Sequence, residues 1–448
     1  MKHVVRIMGI VACVFLLRSM SGLLSVTNRL VFKPSAAVAQ AVVNTISESG
    51  STMSIDADLQ RVSSRLGDRI KRTYGQDIPL PRIAQAITER RHLLSRSLQL
   101  TLQTDDGTMT GGVLSPARSP LWIQADISRT NLSFRLDPSS MKEDLAALLT
   151  PLLPRPQDST ISAVTDDDGI QRVTADQPAK PGFAWDAGEA TTSVRSMLLS
   201  TGSTLTLAVP RADGRIINQT GLKLGDLQLL ATGRSNFQGS GGGRISNVRK
   251  GLSEYVNGVM IPAGATVSFN DVVGNMGGSG WQNALVIMNG KDLVSFPGGG
   301  ICQVATTVYR AVLNAGLPVL ERANHSLYVT YYEKYGVGID ATVFPYKQDL
   351  SFVNDTGHPL LMQAYSDGFE ASVHFYGTSD GRVIALNGPY FQGTESAELR
   401  SQLGRSLSVN EIAWLHSVTS AAGVERNDIV LSRYLAIPRQ LRKEYASL

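Results

Sequence analysis

Cys302 stands where a nucleophile would be built. In the stretch FPGGGICQVATTVYRAVLNAG, 296–316, it follows Gly298, Gly299 and Gly300 directly. Val304, Val308, Val312 and Ala315 then recur at helical spacing, which predicts an amphipathic helix starting at the glycines. At a helix amino terminus, unpaired N–H groups and the macrodipole favour an anion, so a thiol there ionises more readily. The same N–H groups could hold an oxyanion, and glycines without side chains leave room for a substrate. The chemistry this would serve is attack of a thiolate on an acyl or amide carbonyl.

Such a thiol needs a base, and the base needs an orienting partner. Three of the six histidines, His3, His92 and His416, lie in other regions of the chain, which leaves His325, His358 and His374. His325, in ERANHSLYVTYY, follows the helix and its return strand and is the candidate base. Asp340, flanked by Ile339 and Ala341 in GIDATVF, is the candidate orienting acid. The bland alternatives are a buried structural Cys302, a His325 that braces a turn, and an Asp340 paired with Arg322 or Lys334. Gln282 and Gln303 are weaker candidates for binding substrate or an oxyanion. His358 and His374 read as turn and strand-surface residues. A metal site on His325 and Asp340 lacks clustered ligands, and no cofactor is expected.

The elements that must position these groups belong to a long chain. It has 448 residues, 42% of them apolar and 18% charged, enough for two or three folded units. The net charge of +4 is spread without basic runs, so nucleic acid is not an expected partner. At the start, MKHVVRIMGIVACVFLL places basic residues before an apolar run, and SAAVAQA offers small residues for cleavage. An export signal or amino-terminal membrane anchor over 1–41 is the reading. Cys13 lies inside it, so the exported part would carry Cys302 as its single thiol and could form no internal disulfide.

Beyond that segment the expectation is an α+β region over 42–225, a second α+β domain over 230–377, and a tail over 378–448. In the first region, LWIQADI, LSFRL, QRVTA and TLTLAV read as strands. Helices are expected at SMKEDLAALLTPLL, opening on Ser140, and at GEATTSVRSMLLSTG, opening on Asp186 or Thr191. In the second domain a helix over 245–256 and the cysteine helix accompany ATVSF, NALVIM, PVLERA, LYVTYY, GIDATVF, LSFVND, LLMQAYSD and EASVHFYG. An antiparallel sheet carrying the cysteine helix is therefore expected. The tail reads as one helix, VNEIAWLHSVTSAAG, without chemistry.

The order of cysteine on a helix, then histidine, then aspartate resembles the core of the transglutaminase-like fold and of papain-like thiol enzymes. More specifically, the segment from Arg234 to Gly377 resembles the VanW family. RSNFQGSGGGRISNV, NGVMIPAGATVSFNDVVG, GGGICQVATTVYRAVLNAGLPVLERANHS, GIDATV, LSFVNDTGHPLLMQAY and VHFYG carry that resemblance in order. The part before it, roughly 163–209, is similar to the peptidoglycan-binding module that often precedes such domains. Membership implies an exported protein associated with the cell wall, with peptidoglycan or its precursors as partner and the cell membrane met through the amino-terminal segment.

Overall fold

A computed structural model of the chain describes residues 55–105, 107–274, 280–288 and 292–436. The expected export segment over 1–41, with Cys13, lies outside them. Among the described residues no helix is long and apolar enough to cross a membrane. The protein is of the α+β class, with mostly antiparallel sheets.

The described residues divide into two compact units, one holding those up to Leu152 together with Trp185–Val209, the other Leu153–Ala184 and those from Pro210 on. In the first, helices Ile55–Tyr74 and Leu80–Ser95 bury Val62, Leu66 and Ile70 with Ile83, Ala86 and Ile87. Strand Leu98–Thr104 pairs antiparallel with Gly107–Leu114 and parallel with Thr204–Ala208. The helix over Pro138–Leu149 is capped by Asp137, whose side chain accepts from the Ser140 N–H, so Ser140 is not itself the cap. Asp186 caps Ala187–Leu199 in the same way.

In the second unit a seven-stranded sheet runs in the order Ile216–Asn218, Ser159–Asp167, Ile170–Ala175, Val259–Ile261, Leu360–Asp367, Glu370–Gly377, Gln228–Asn236. The strands of 159–175 thus join the sheet that also carries 360–377, and the sheet crosses the boundary expected near 225. Strand pattern shows that a segment pairs but not with what, because the partner is set by packing over long range. The glycine-dense NFQGSGGGR ends one strand and opens the helix Gly242–Lys250.

The cysteine helix, Ile301–Asn314, lies against this sheet at close range. A Cβ on Gly233 would stand 2.0 Å from the Thr307 carbonyl oxygen and 2.4 Å from the Ala311 nitrogen, so only glycine admits the helix there. The Asn314 amide donates to the Thr232 carbonyl at 2.8 Å. The helix is buried on all sides and not on a single stripe: from Ile301 to Leu313 only Cys302 escapes full burial. Its polar residues are satisfied internally, as buried polar groups must be. Arg310 alone spends its guanidinium on the carbonyls of Ile339, Arg234, Tyr332 and Gly336 at 2.7–3.0 Å.

Three expected elements differ. LYVTYY is no strand; Thr330–Tyr335 is a 3-10 helix, shaped by the carbonyls that Arg310 gathers. GIDATVF is held by isolated bridges, Ala323 with Thr342 and Phe344 with Gln348. The expected tail helix is instead strand Glu411–Thr419, central in a three-stranded antiparallel sheet with Val383–Tyr390 and Glu425–Arg433. Ile412, Leu415 and Val418 have a helix-like spacing, but the strand buries residues on both faces, which erases the period-2 signal.

Candidate active site

The glycine turn fixes where the cysteine helix begins. Gly300 is its N-cap at φ 109°, a left-handed backbone that favours glycine. A Cβ on Gly299 would lie 2.6 Å from the Ala284 carbonyl oxygen, and one on Gly300 would lie 2.9 Å from Arg244 Cγ. Gly298, Gly299 and Gly300 are all buried, so the missing side chains make room for the protein's own packing and not, as expected, for a substrate. Of the amides flanking the cysteine, Ile301 N–H donates to the Gly298 carbonyl at 3.1 Å and Gln303 N–H to that of Gly300 at 2.9 Å.

Gln303 is also claimed by the fold. Its Nε2 donates to Ser235 Oγ at 3.2 Å and to the Asn236 carbonyl at 2.8 Å, and its Oε1 accepts from Arg244 at 2.7 Å. Both of its amide hydrogens are spent, which removes it as a substrate donor. Gln282 contributes its backbone: the N–H donates to Asn247 Oδ1 and the carbonyl accepts from Asn247 Nδ2, each at 2.8 Å, bracing the glycine turn.

Cys302, His325 and Asp340 come together. The sulfur lies 3.6 Å from Thr342 Oγ1 and 3.5 Å from the Val343 carbonyl, and the His325 ring is close enough to act on the ionisation of the thiol. His325 sits in a loop, with its ring centroid 5.4 Å from that of Tyr332. Its Nδ1 is 2.5 Å from Asp340 Oδ2, and its backbone N–H donates to the same oxygen at 2.8 Å. With Nδ1 taken up by Asp340, Nε2 is the nitrogen left for the thiol.

The ionisation of the three groups follows from this contact. Burial pushes the Cys302 thiol up, but the hydrogen bond and charge of His325 outweigh it, and the Val343 backbone and Thr342 hydroxyl add to the pull, bringing it down to about 7. Burial works against the His325 cation; Tyr332, Asp340 and the thiol together raise it well above its ordinary value. Burial disfavours the Asp340 anion as well, yet the His325 contact and the Arg322 charge hold it down at about 2. The arrangement favours a thiolate beside an imidazolium, backed by a carboxylate, which is the charge state of an activated thiol.

Residues 243–376 match the family model described as VanW like protein. That segment is thus a VanW-like domain. Over 141 residues it is 35% identical to the uncharacterized protein YoaR of Bacillus subtilis (strain 168). The match covers 31% of this chain and 45% of that protein, so the chain spans less than half of its relative. No solved structure matches the chain. All three residues of the relay lie in the VanW segment.

Two neighbours of the relay were hard to read in the sequence. Thr342 touches the sulfur but sits in a run that reads as a plain strand. Tyr434, outside the VanW segment and past the last strand of the tail sheet, donates its hydroxyl to Asp340 Oδ1 at 2.6 Å. Arg322, read beforehand only as a bland partner for Asp340, reaches Oδ1 at 3.5 Å and donates to the Asp340 carbonyl at 2.7 Å. The tail therefore does touch the candidate site. His374 is buried and not on the strand surface: its ring bonds to the hydroxyls of Thr232 and Tyr365 at 2.7 and 3.0 Å, and burial lowers it to about 3, so it stays neutral. His358 is exposed in a loop. Among the described residues no group of three or more His, Cys, Asp or Glu could hold a metal ion.

Proposed function

We propose that this VanW protein is an exported, thiol-dependent acyl transferase or amidase acting on peptidoglycan or its precursors. The observation that carries the reading is the contiguous Cys302–His325–Asp340 relay, with the thiol drawn down to about 7. The amino-terminal apolar segment, read as a signal or membrane anchor, supports placement at the cell envelope. The order of the three residues along the chain, shared with transglutaminase-like and papain-like enzymes, supports the reaction class.

In the proposed reaction the Cys302 thiolate attacks an amide carbonyl, a C–S bond forms, and the carbonyl electrons move onto oxygen. The Thr342 hydroxyl, beside the sulfur, is the side-chain donor proposed for that oxyanion. Collapse breaks the C–N bond, and the departing amine takes the proton from His325 Nε2. Water or a second amine then attacks the thioester, passes its proton to His325 and releases the thiolate. Asp340 keeps the His325 ring oriented through Nδ1 in both protonation states and stabilises the imidazolium before the amine leaves and after the second nucleophile adds.

The test is to incubate the protein with isolated peptidoglycan fragments and look by mass spectrometry for an acyl adduct on Cys302. Muropeptides of a strain carrying Cys302→Ala should then resemble those of a deletion strain. A wall altered by deletion but normal in the Cys302→Ala strain would overturn the enzyme reading. It would favour a non-catalytic wall-binding scaffold, a second reading that the packing role of the glycines and Gln303 supports.

A further inference from the structure

We propose that the tail sheet beyond the VanW segment completes the site, with Tyr434 as a positioning residue that fixes the Asp340 carboxylate and thereby the His325 ring. This rests on the relay proposed above. The four contacts to the carboxylate divide evenly. Oδ2 accepts the backbone N–H and ring of His325, while Oδ1 accepts the Tyr434 hydroxyl at 2.6 Å and the longer Arg322 contact at 3.5 Å. Only the Tyr434 contact holds Oδ1 at short range, so it sets the plane in which Oδ2 meets the ring.

Tyr434 is itself held from both sides. Its N–H donates to the Asn410 carbonyl at 3.0 Å, and its carbonyl accepts from Asn410 Nδ2 at 2.8 Å. Its ring meets that of Tyr328 edge-on at 5.2 Å, and the next residue, Leu435, bridges to Leu327. Arg322 straps the strand that leads into Tyr434, Glu425–Arg433, to the site through the Leu431 carbonyl at 3.0 Å and Ser432 Oγ at 2.7 Å, and Ser432 donates onward to the Gly338 carbonyl at 2.6 Å. The ionisable groups acting on this cluster are Cys302, Tyr309, Arg310, Arg322, His325, Tyr328, Tyr332, Glu333, Tyr434 and, more remotely, Tyr335 and Asp428. Burial and the Asp340 charge keep the Tyr434 hydroxyl protonated, so it acts as a donor at any physiological pH.

The experiment measures the rate of iodoacetamide alkylation of Cys302 against pH in the full chain, beside Tyr434→Phe and Ser432→Ala. Tyr434→Phe keeps the ring against Tyr328 and removes only the hydroxyl. The carboxylate then turns, the ring contact loosens, and the inflection moves up from about 7; the rate at pH 7 falls by about three- to tenfold. Ser432→Ala moves it the same way by less and serves as the readout if Tyr434→Phe does not fold. A native protein with an inflection near 7 and a variant inflection unchanged or lowered overturns the role of Tyr434 alone. A native protein that titrates like an ordinary thiol overturns the relay and this inference together.

Discussion

Asp340 meets His325 twice through one oxygen: Oδ2 accepts the backbone N–H at 2.8 Å and the ring Nδ1–H at 2.5 Å. The carboxylate thus ties the direction of the ring to the position of its own backbone. It also sets the tautomer, since Nδ1 must carry the proton and Nε2 is left to the thiol.

Asp340→Asn tests that tie. An amide in place of the carboxylate removes the charge that favours the imidazolium and leaves Arg322 and Tyr434 facing a weaker acceptor. Acyl transfer by the purified variant should fall on the order of 10²–10⁴-fold, and breaking the buried pair should cost about 3–5 kcal/mol in denaturant unfolding. The sign in pH follows from the depressed value of the acid. The native stabilisation from Asp340 is present above its ordinary 3.8 and is lost as pH falls towards 2, so the variant should lack that part of the acid limb.

The pH profile of the native protein should rise through about 7 as Cys302 ionises, in alkylation and in acyl transfer alike. Acyl transfer should fall again only above the ordinary range of histidine, because His325 keeps its proton well past 6.5. In His325→Ala the offsetting hydrogen bond and charge are gone while much of the burial remains, so the alkylation inflection should move up by a unit or more, to about 8 or higher. An unmoved inflection in that variant would show that His325 does not set the thiol.

Much of this site was legible because its signals are local. A cysteine after three glycines at the head of an apolar stripe, a histidine just past the return strand and an acid among aliphatics are unusual in themselves. The glycines serve packing and not a substrate, since the contacts that demand them come from Ala284 on the preceding hairpin and Arg244 on an earlier helix, which only the fold brings together. The all-round burial of the cysteine helix was hidden for a similar reason. Gln303, Thr306, Thr307 and Arg310 look solvated in sequence and are paired within the fold. Tyr434 had no local signal: it lies 94 residues from its acceptor.

Thr342→Val tests the proposed oxyanion donor. The change keeps the branched shape of the residue beside the sulfur and removes the hydroxyl that lies 3.6 Å from it. If that hydroxyl stabilises the tetrahedral intermediate, kcat should drop about 10²–10³-fold with KM little changed. The alkylation inflection should rise slightly, since the Thr342 hydroxyl is a minor contributor to the lowered thiol. A kcat within a factor of about two of the native value would assign the oxyanion to other donors.

Gly233→Ala asks whether the docking of the cysteine helix on the sheet is as close as it looks. The new Cβ would meet the Thr307 carbonyl oxygen and the Ala311 nitrogen well inside van der Waals contact, and both are backbone atoms that cannot swing aside. Strand and helix must part, at a cost of about 3 kcal/mol or more, and Tm should fall by roughly 5 °C or more. Because the same helix carries Cys302, the rate of thiol alkylation at pH 7 should fall with it as the sulfur shifts from His325. Gly242→Ala is the matched control: a Cβ there meets nothing within 4 Å, at the first residue of the Gly242–Lys250 helix. It should leave Tm unchanged or raise it slightly, by about 0.4–1 kcal/mol of added stability. Equal behaviour of the two variants would mean that the helix can be held off the sheet at no cost, and that Gly233 is not what sets its distance.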